Sequence, residues 1–258
     1  MAQIHPTAVV APGALLADDA VVGPFAVVGE EVVLGPGVRI GAQAHVTGRT
    51  KIGAHTEVFP FAALGLAPQV LGFDGQTTEL SIGEHNIIRE HTSLHLGTPA
   101  GGGCTRIGDH NLIMNHVHVA HDCLVGDHCI IAAYSGMGGH VEIHDHAVIG
   151  GFTGIHQFVR IGESAFTAAG AKVTRDVAPY AKVAGDRARF VGINRINLER
   201  REFDPETIRI IKHAFFVLFQ RKLRFVDACK LVEEECAGSP EVEQLLAFLR
   251  SSQRGFVR

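Results

Sequence analysis

Aliphatic residues recur at every sixth position along most of this chain. From Ile4 the series runs Val10, Leu16, Val22, Val28, Leu34, Ile40, Val46, Ile52, Val58 and Leu64. It resumes at Ile82, Ile88 and Leu94. It resumes again at Ile107, Ile113, Val119, Val125, Ile131, Met137, Ile143, Ile149, Ile155 and Ile161, then meets Thr167 and ends at Val173. A small residue follows many of these positions, among them Ala11, Gly23, Gly29, Gly35, Gly41 and Gly53. A period of six fits neither the 3.6 of a helix nor the 2 of a long alternating strand. It predicts short strands joined by tight turns, each strand turning one aliphatic side chain into a shared core, which is the signature of a β-helix.

Two segments break the series, at 66–79 and 96–106. Both are rich in Gly, Pro or Thr, and the second shifts the phase by one residue. They are expected as loops extruded from the coil, where a rigid scaffold commonly carries its chemistry. After Val173 the pattern turns helical. Asp204-Pro205-Glu206 supplies an N-cap, a proline at the first helical position and an acid in the first turn. Ile208, Ile211, Ala214, Phe215, Leu218 and Phe219 follow at helical spacing. A second helix is expected over 225–236, and Ser239-Pro240-Glu241 caps a third that ends near Ser252. The predicted division is a β-helix over 1–186 and an α-helical domain over 187–258.

The hexapeptide ladder resembles the left-handed parallel β-helix of hexapeptide acyltransferases. That resemblance implies three hexapeptides per triangular coil of about 18 residues. The left hand also comes from it, since the usual right-handed crossover preference does not predict it. Residues 18 apart then stack one strand spacing apart, ~4.8 Å.

Composition narrows the function. The chain has 258 residues, 46% hydrophobic and 19% charged, which excludes wholesale disorder. A formal net charge of −4 argues against general nucleic-acid binding. No stretch approaches the ~18 apolar residues of a membrane span. The start, Met1-Ala2-Gln3-Ile4-His5-Pro6, lacks the features of a signal peptide. Five cysteines without a Cys-x-x-Cys pair suit buried thiols in a cytoplasmic protein. Residues 187–258 hold 14 Lys and Arg against 10 Asp and Glu. Within them Arg200, Arg201, Arg221, Lys222 and Arg224 form a cationic patch. Any one of these charges reads first as a solvated helix face; together they suit a phosphate or an acidic protein.

Histidine is abundant, 16 in all, and densest at His116-Val117-His118-Val119-Ala120-His121-Asp122-Cys123. Val119 is a core position, so His118 points outward and His121 falls at a turn. The 18-residue stacking lays Gly139 over His121, His140 over Asp122 and His156 over Gly138. One outer edge thus gathers His118, His121, Asp122, Gly139, His140, His156 and Gln157. This suits acyl transfer: an imidazole takes a hydroxyl proton, Asp122 orients the ring, and the Gly139 N–H stabilises an oxyanion. No serine or cysteine stands out as a nucleophile, which favours direct attack over an acyl-enzyme. His85, His110, His128, His144 and His146 read as filler of the outer face. A zinc site of γ-carbonic-anhydrase type is a remote rival, weakened by the want of a third stacked histidine.

Longer motifs go further. Ile4-His5-Pro6-Thr7-Ala8, Gly108-Asp109-His110-Asn111, His118-Val119-Ala120-His121-Asp122-Cys123, Gly138-Gly139-His140-Val141, His156-Gln157-Phe158 and the ending Arg254-Gly255-Phe256-Val257-Arg258 closely resemble the UDP-N-acetylglucosamine O-acyltransferase family of lipid A biosynthesis. The resemblance implies transfer of a 3-hydroxyacyl chain from acyl carrier protein to the glucosamine 3-position of UDP-GlcNAc. It implies His121 as base and Gly139 as backbone donor. Gln69, His95, His118, His140, His156 and Gln157 line the substrate cleft by the same token. Asn194, Arg200 and Arg201 reach the nucleotide, and Ala169 holds the place of an acyl-chain ruler. It further implies a homotrimer with clefts between adjacent coils, and no metal or diffusible cofactor.

The chain departs from the family pattern in two places. Val70 and Gly72 stand where the family carries an acid and a lysine that grip the sugar, and Ile196 stands where it carries an acid. Asp74 is the only acid near the first gap. These departures keep open a 3-amino analogue of UDP-GlcNAc as acceptor, another hexapeptide acyltransferase activity, or an inactive scaffold.

Overall fold

A computed structural model describes all 258 residues. Residues 3–184 wind into a triangular coil whose three faces are parallel sheets, built mostly from strands two residues long. Leu112 pairs with Ile130, Ile130 with Val148, and Val148 with Phe166, so each coil takes 18 residues. The two breaks in the ladder stretch that spacing, to 30 between Val58 and Ile88 and to 25 between Ile88 and Ile113.

The six-residue ladder is the core. From Val22 to Val173 every ladder position, Thr167 included, is buried. Ile4 is exposed, because the first coil has nothing beneath it. A second inward row lies two residues before each ladder position. It is made of small or mixed side chains: Ala20, Ala26, Val32, Val38, Thr105, Cys123, Cys129, Thr153. The triangular section favours small groups there, and Leu80, between Thr50 and Thr105, is a larger exception. Cys123 and Cys129 belong to this row, and burial pushes both thiols up to about 12. They are packing residues, and none of the five cysteines is in a disulfide.

The corners explain the histidines. At most corners one residue takes a left-handed conformation, with φ of 54–58° at His85, His110, His116, His128 and His146. A non-glycine residue pays roughly 1–2 kcal/mol for that geometry. Ring stacking along the axis offsets it. His55, His85, His110, His128 and His146 form one stack with centroids 4.9 Å apart. Phe61, His91, His116, Tyr134 and Phe152 form another at 4.6–5.0 Å. Each stacked pair contributes ~0.5–1.5 kcal/mol beyond burial. His144 lies outside the stacks and packs edge-on to Phe248.

Three boundaries differ from the sequence expectation. Cys104, Thr105 and Arg106 are not loop: they form a strand with Ile107, paired to Glu79–Ile82. The second excursion therefore ends at Gly103, and it folds back onto the coil. Ala181–Ala184 and Arg189–Ile193 form an antiparallel pair, so residue 187 lies in the turn between two strands of one sheet. A short helix, α1 (Arg195–Arg200), then precedes α2 (Pro205–Phe219), α3 (Phe225–Glu235) and α4 (Pro240–Arg250). Asp204 and Ser239 cap α2 and α4 as their sequence motifs require, accepting from Thr207 N and Val242 N. Arg160 clamps the helices to the coil: its guanidinium bonds Asp176 at 3.1 Å and Phe248 O at 3.1 Å, and lies over the Phe248 ring.

Candidate active site

The winding brings His121 and Gly139 into contact. A Cβ built on Gly139 would sit 2.4 Å from His121 Cε1 and 2.6 Å from Nε2. Only glycine lets the imidazole lie flat against the next coil. The Gly139 N–H donates to no protein acceptor, so it is free to bind an oxyanion.

His121 Nδ1 donates to Asp122 Oδ2 at 2.7 Å. This leaves Nε2 as the bare, basic nitrogen. The Asp122 side chain is fully buried, under the second excursion. Thr98 N donates to Oδ1 at 2.8 Å and Thr98 Oγ1 to Oδ2 at 2.7 Å. The Asp122 N–H bonds Thr105 Oγ1, and Gly101 packs so close that any side chain there would strike the carboxylate. Burial on its own would raise the Asp122 pKa. The Thr98 hydroxyl and amide and the His121 ring overcome it and hold the carboxyl below its usual 3.8. Asp122 is therefore ionised at neutral pH, and its stabilisation of the fold is lost only as the pH falls through that lowered value.

The segment expected as an extruded loop thus folds over Asp122, which in turn holds the His121 ring. Thr98→Val removes one donor from a buried carboxylate, worth ~1–3 kcal/mol. The expected result is a fall in kcat of about 10-fold and an acidic limb of the pH–rate profile shifted upward, since Asp122 then protonates more readily. Thr98→Ser restores both. An unchanged profile in Thr98→Val would show that Asp122 is held by other means.

His121, Asp122 and His140 each bring one possible ligand atom within 4.8 Å of the others, but the third member is a carboxylate and not the third histidine that the zinc reading lacks. The geometry of the three does not suit an ion. Asp122 Oδ2 already accepts from Thr98 Oγ1 and from His121 Nδ1, each at 2.7 Å, a hydrogen-bond separation shorter than two ligand atoms keep on one ion with bonds of ~2.0–2.2 Å.

Around His121 a cleft of about 390 Å³ takes in Gln69, His95, His118, Gly138, Gly139 and Gln157. His95 Nδ1 donates to Ala67 O at 2.9 Å and so pins the root of the first loop beside the site. Ser93 Oγ bonds His118 Nδ1 at 2.9 Å; burial, then the His95 charge, lowers the His118 pKa and keeps that ring neutral. Above His118, the outer face carries Gly136 and Gly154 in successive coils. A Cβ on either would meet nothing within 4 Å, so this face is a bare trough; Ala169 is exposed in the turn before Lys172, the residue paired with Gly154. Neither the trough nor the Thr98 cover was read from the sequence. Three successive outward glycine or histidine positions 18 apart were the available signal for the trough.

Several expected residues lie elsewhere. His156 is exposed, outside the cleft, with Arg254 donating to its Nδ1 at 3.2 Å. Asn194 is buried and donates to Ser164 O, and Arg201 pairs with Glu163 at 2.6 Å, all at the corner of His146 and Ser164, a different edge of the prism. Arg200 is exposed near them. The cationic patch is largely neutralised: Arg221 pairs with Glu235 and Arg224 with Asp227. Asp74 sits in an exposed turn with Gln76 and does not enter the cleft, so the first loop brings Gln69 to it but neither acid nor base.

Known proteins are similar to this chain in sequence and in fold. Residues 176–257 match the family profile described as Udp N-acetylglucosamine O-acyltransferase, domain 2, and residues 104–139 match the bacterial transferase hexapeptide repeat. Over all 258 residues of both chains, this one is 50% identical to the acyl-[acyl-carrier-protein]--UDP-N-acetylglucosamine O-acyltransferase of Myxococcus xanthus. The UDP-N-acetylglucosamine acyltransferase of Francisella novicida superposes with a TM-score of 0.96 at 34% identity, covering 99% of this chain and 94% of that one. LpxA of Acinetobacter baumannii gives 0.95 at 39% identity, covering 99% of each. The fold is accordingly a left-handed parallel β-helix with a C-terminal helical region.

Proposed function

The chain belongs to the UDP-N-acetylglucosamine O-acyltransferase family and is an acyltransferase, and from that premise we propose that it moves a 3-hydroxyacyl chain from acyl carrier protein to the 3-position of UDP-GlcNAc. The observation that carries the reading is the contact between His121 and Gly139 on one open cleft. His121 Nε2 takes the proton of the acceptor hydroxyl as its oxygen attacks the thioester carbonyl. The Gly139 N–H receives the developing oxyanion. The tetrahedral intermediate collapses, the C–S bond breaks, and the imidazolium returns the proton to the departing thiolate. Asp122 stays ionised throughout and stabilises the imidazolium. No acyl-enzyme is needed, which agrees with the burial of Cys123 and Cys129. The Gly136–Gly154 trough suits the hydrocarbon, with Ala169 bordering its end.

Asn194 and Arg200 lie on a different edge from His121, so a site using both sets requires a second copy. We place it between adjacent protomers of a homotrimer. No helix is long and apolar enough to cross a membrane. Five free thiols suit a reducing cytoplasm.

The uncharged sugar loop, Val70-Leu71-Gly72, favours a second acceptor with an amine at the 3-position. The test presents UDP-GlcNAc and its 3-amino analogue separately with a panel of 3-hydroxyacyl carrier proteins, and identifies products by mass. The expected product is the 3-O-acyl nucleotide sugar with one free carrier thiol per turnover. Product from the amine alone would transfer the reading to the analogue, and product from neither would overturn it.

A further inference from the structure

Glu163 and Ser164 form the corner that seats Arg201 and Asn194. One coil earlier, His146 ends the stack of rings that begins at His55. Ser164 keeps the left-handed corner conformation, with φ of 54°, but carries a hydroxyl in place of a ring. Arg201 reaches it: one guanidinium nitrogen, Nη1, donates to Ser164 Oγ and to Glu163 Oε1, each at 2.6 Å. The Ser164 carbonyl accepts from Asn194 Nδ2 at 2.8 Å. Two of the expected nucleotide contacts thus share one seat.

Glu163 is itself held from the far side. Its Oε2 accepts from Gln244 Nε2 of α4 at 2.7 Å, and Gln244 Oε1 accepts from the Tyr180 hydroxyl. Burial, and then the Glu163 charge, push the Tyr180 hydroxyl above its ordinary range, so it stays a donor. That donor fixes which end of the Gln244 amide faces the carboxylate. Tyr180 is fixed in turn through its backbone, N to Glu163 O at 2.8 Å and O to Asn194 N at 2.7 Å. Both carboxylate oxygens and the carbonyl of Glu163 are therefore taken. The Arg201–Glu163 pair is little exposed, at 24% and 21%, whereas the surface pair of Arg209 and Glu206 stands at 73% and 59%. Solvent screens it less, so it can hold a geometry.

We infer that Glu163 is a positioning residue for the nucleotide end of the site, setting the Arg201 guanidinium and the end of α1 before the acceptor arrives. The inference rests on the reading of Asn194, Arg200 and Arg201 as nucleotide contacts and names what holds them. Arg201 closes α1, a helix of six residues without a side-chain cap, so this tie also fixes the adjoining Arg200, which is exposed and has no ion pair of its own. Arg200 supplies the free charge and Arg201 the fixed one. A carboxylate opposite Arg201 also weakens its pull on a phosphate, so two effects of Glu163 oppose each other. Two unit charges ~8 Å apart in water change binding by about 2-fold. Freeing a rotamer-rich side chain costs about 2–10-fold, and misaligning a charge-assisted bond adds to that. Placement therefore outweighs charge.

The test measures the KM for UDP-GlcNAc and the KM for the 3-hydroxyacyl carrier protein separately. Glu163→Ala should raise the first about 5–20-fold and leave the second, and kcat, within about twofold of the parent. Glu163→Gln keeps an acceptor for Nη1 and should bring the KM most of the way back. The rise should vanish against Arg201→Gln, because nothing is then left to position. Gln244→Leu, at an exposed site on α4, should raise the same KM about 2–3-fold, and it stands in if Glu163→Ala melts early. An equal rise in both KM values would make Glu163 a stabiliser of the fold only and overturn the inference. So would a KM that falls in Glu163→Ala, or a Glu163→Gln as damaged as Glu163→Ala, since either makes charge the cause. Failure of the underlying reading shows elsewhere: Arg201→Gln alone would then keep the parental KM for UDP-GlcNAc.

Discussion

The His121→Ala enzyme should keep its fold and lose its turnover, by about 10²–10⁴-fold in kcat, or ~3–5 kcal/mol of transition-state stabilisation. The structural side of that expectation is unusually clean. The ring belongs to no core cluster, and the left-handed corner conformation falls on Asp122, not on His121. Removing the ring leaves Asp122 with both Thr98 bonds, so the buried carboxylate is not stranded. The chemical side is equally direct. The side chain is 18% exposed, enough for an acceptor to reach Nε2. No other ring of the cleft stands in for it. Burial lowers the His118 pKa and so makes it a weaker base, already engaged with Ser93, and His95 is tied to Ala67. The residual rate comes from the Gly139 N–H and from substrate positioning, which the substitution leaves intact. Steady-state kinetics beside a thermal melt check both halves, and a variant with near-parental kcat would remove His121 from the role of base.

The ladder was legible because its constraint is severe. One inward position per six residues must be aliphatic, and from Val22 to Val173 only Thr167 escapes; its hydroxyl lies 3.2 Å from that of Thr153. The second inward row was illegible because space, not polarity, selects it, so alanine, cysteine and threonine serve alike. Helices α2 and α4 announced themselves through Asp204 and Ser239, whereas α1 has six residues and no side-chain cap. The 18-residue step placed His121, Asp122, Gly139 and His140 together without coordinates, since it is arithmetic on a rigid repeat. It could not show Thr98 over Asp122, because that contact depends on how an excursion folds back. Nor could it show which arginines are free. Arg201, Arg221 and Arg224 belong to the expected patch, yet the fold gives them Glu163, Glu235 and Asp227 as partners and leaves Arg200 of the same patch without one.

Gly139→Ala should be nearly as damaging as loss of the imidazole itself, though it adds only a methyl group and removes nothing. The backbone at Gly139 is outside the left-handed region, so alanine suits its conformation and the coil should fold with its melting temperature close to the parent's. The added carbon cannot coexist with the ring: at 2.4 Å from Cε1 it lies more than an ångström inside a normal contact of ~3.5–4.0 Å. The neighbour that must yield is His121, and it is tethered through Nδ1 to a carboxylate that Thr98 holds in place. Swinging the ring clear breaks that bond and carries Nε2 away from the 139 amide. We therefore expect kcat to fall by about 10²-fold or more. The amide donor survives in alanine, so all of this loss should pass through His121. Combining Gly139→Ala with His121→Ala should then cost no more than His121→Ala alone, a full coupling in the double-mutant cycle. Losses that multiply would mean that residue 139 acts independently of the imidazole, and the contact on which the mechanism rests would have no catalytic meaning.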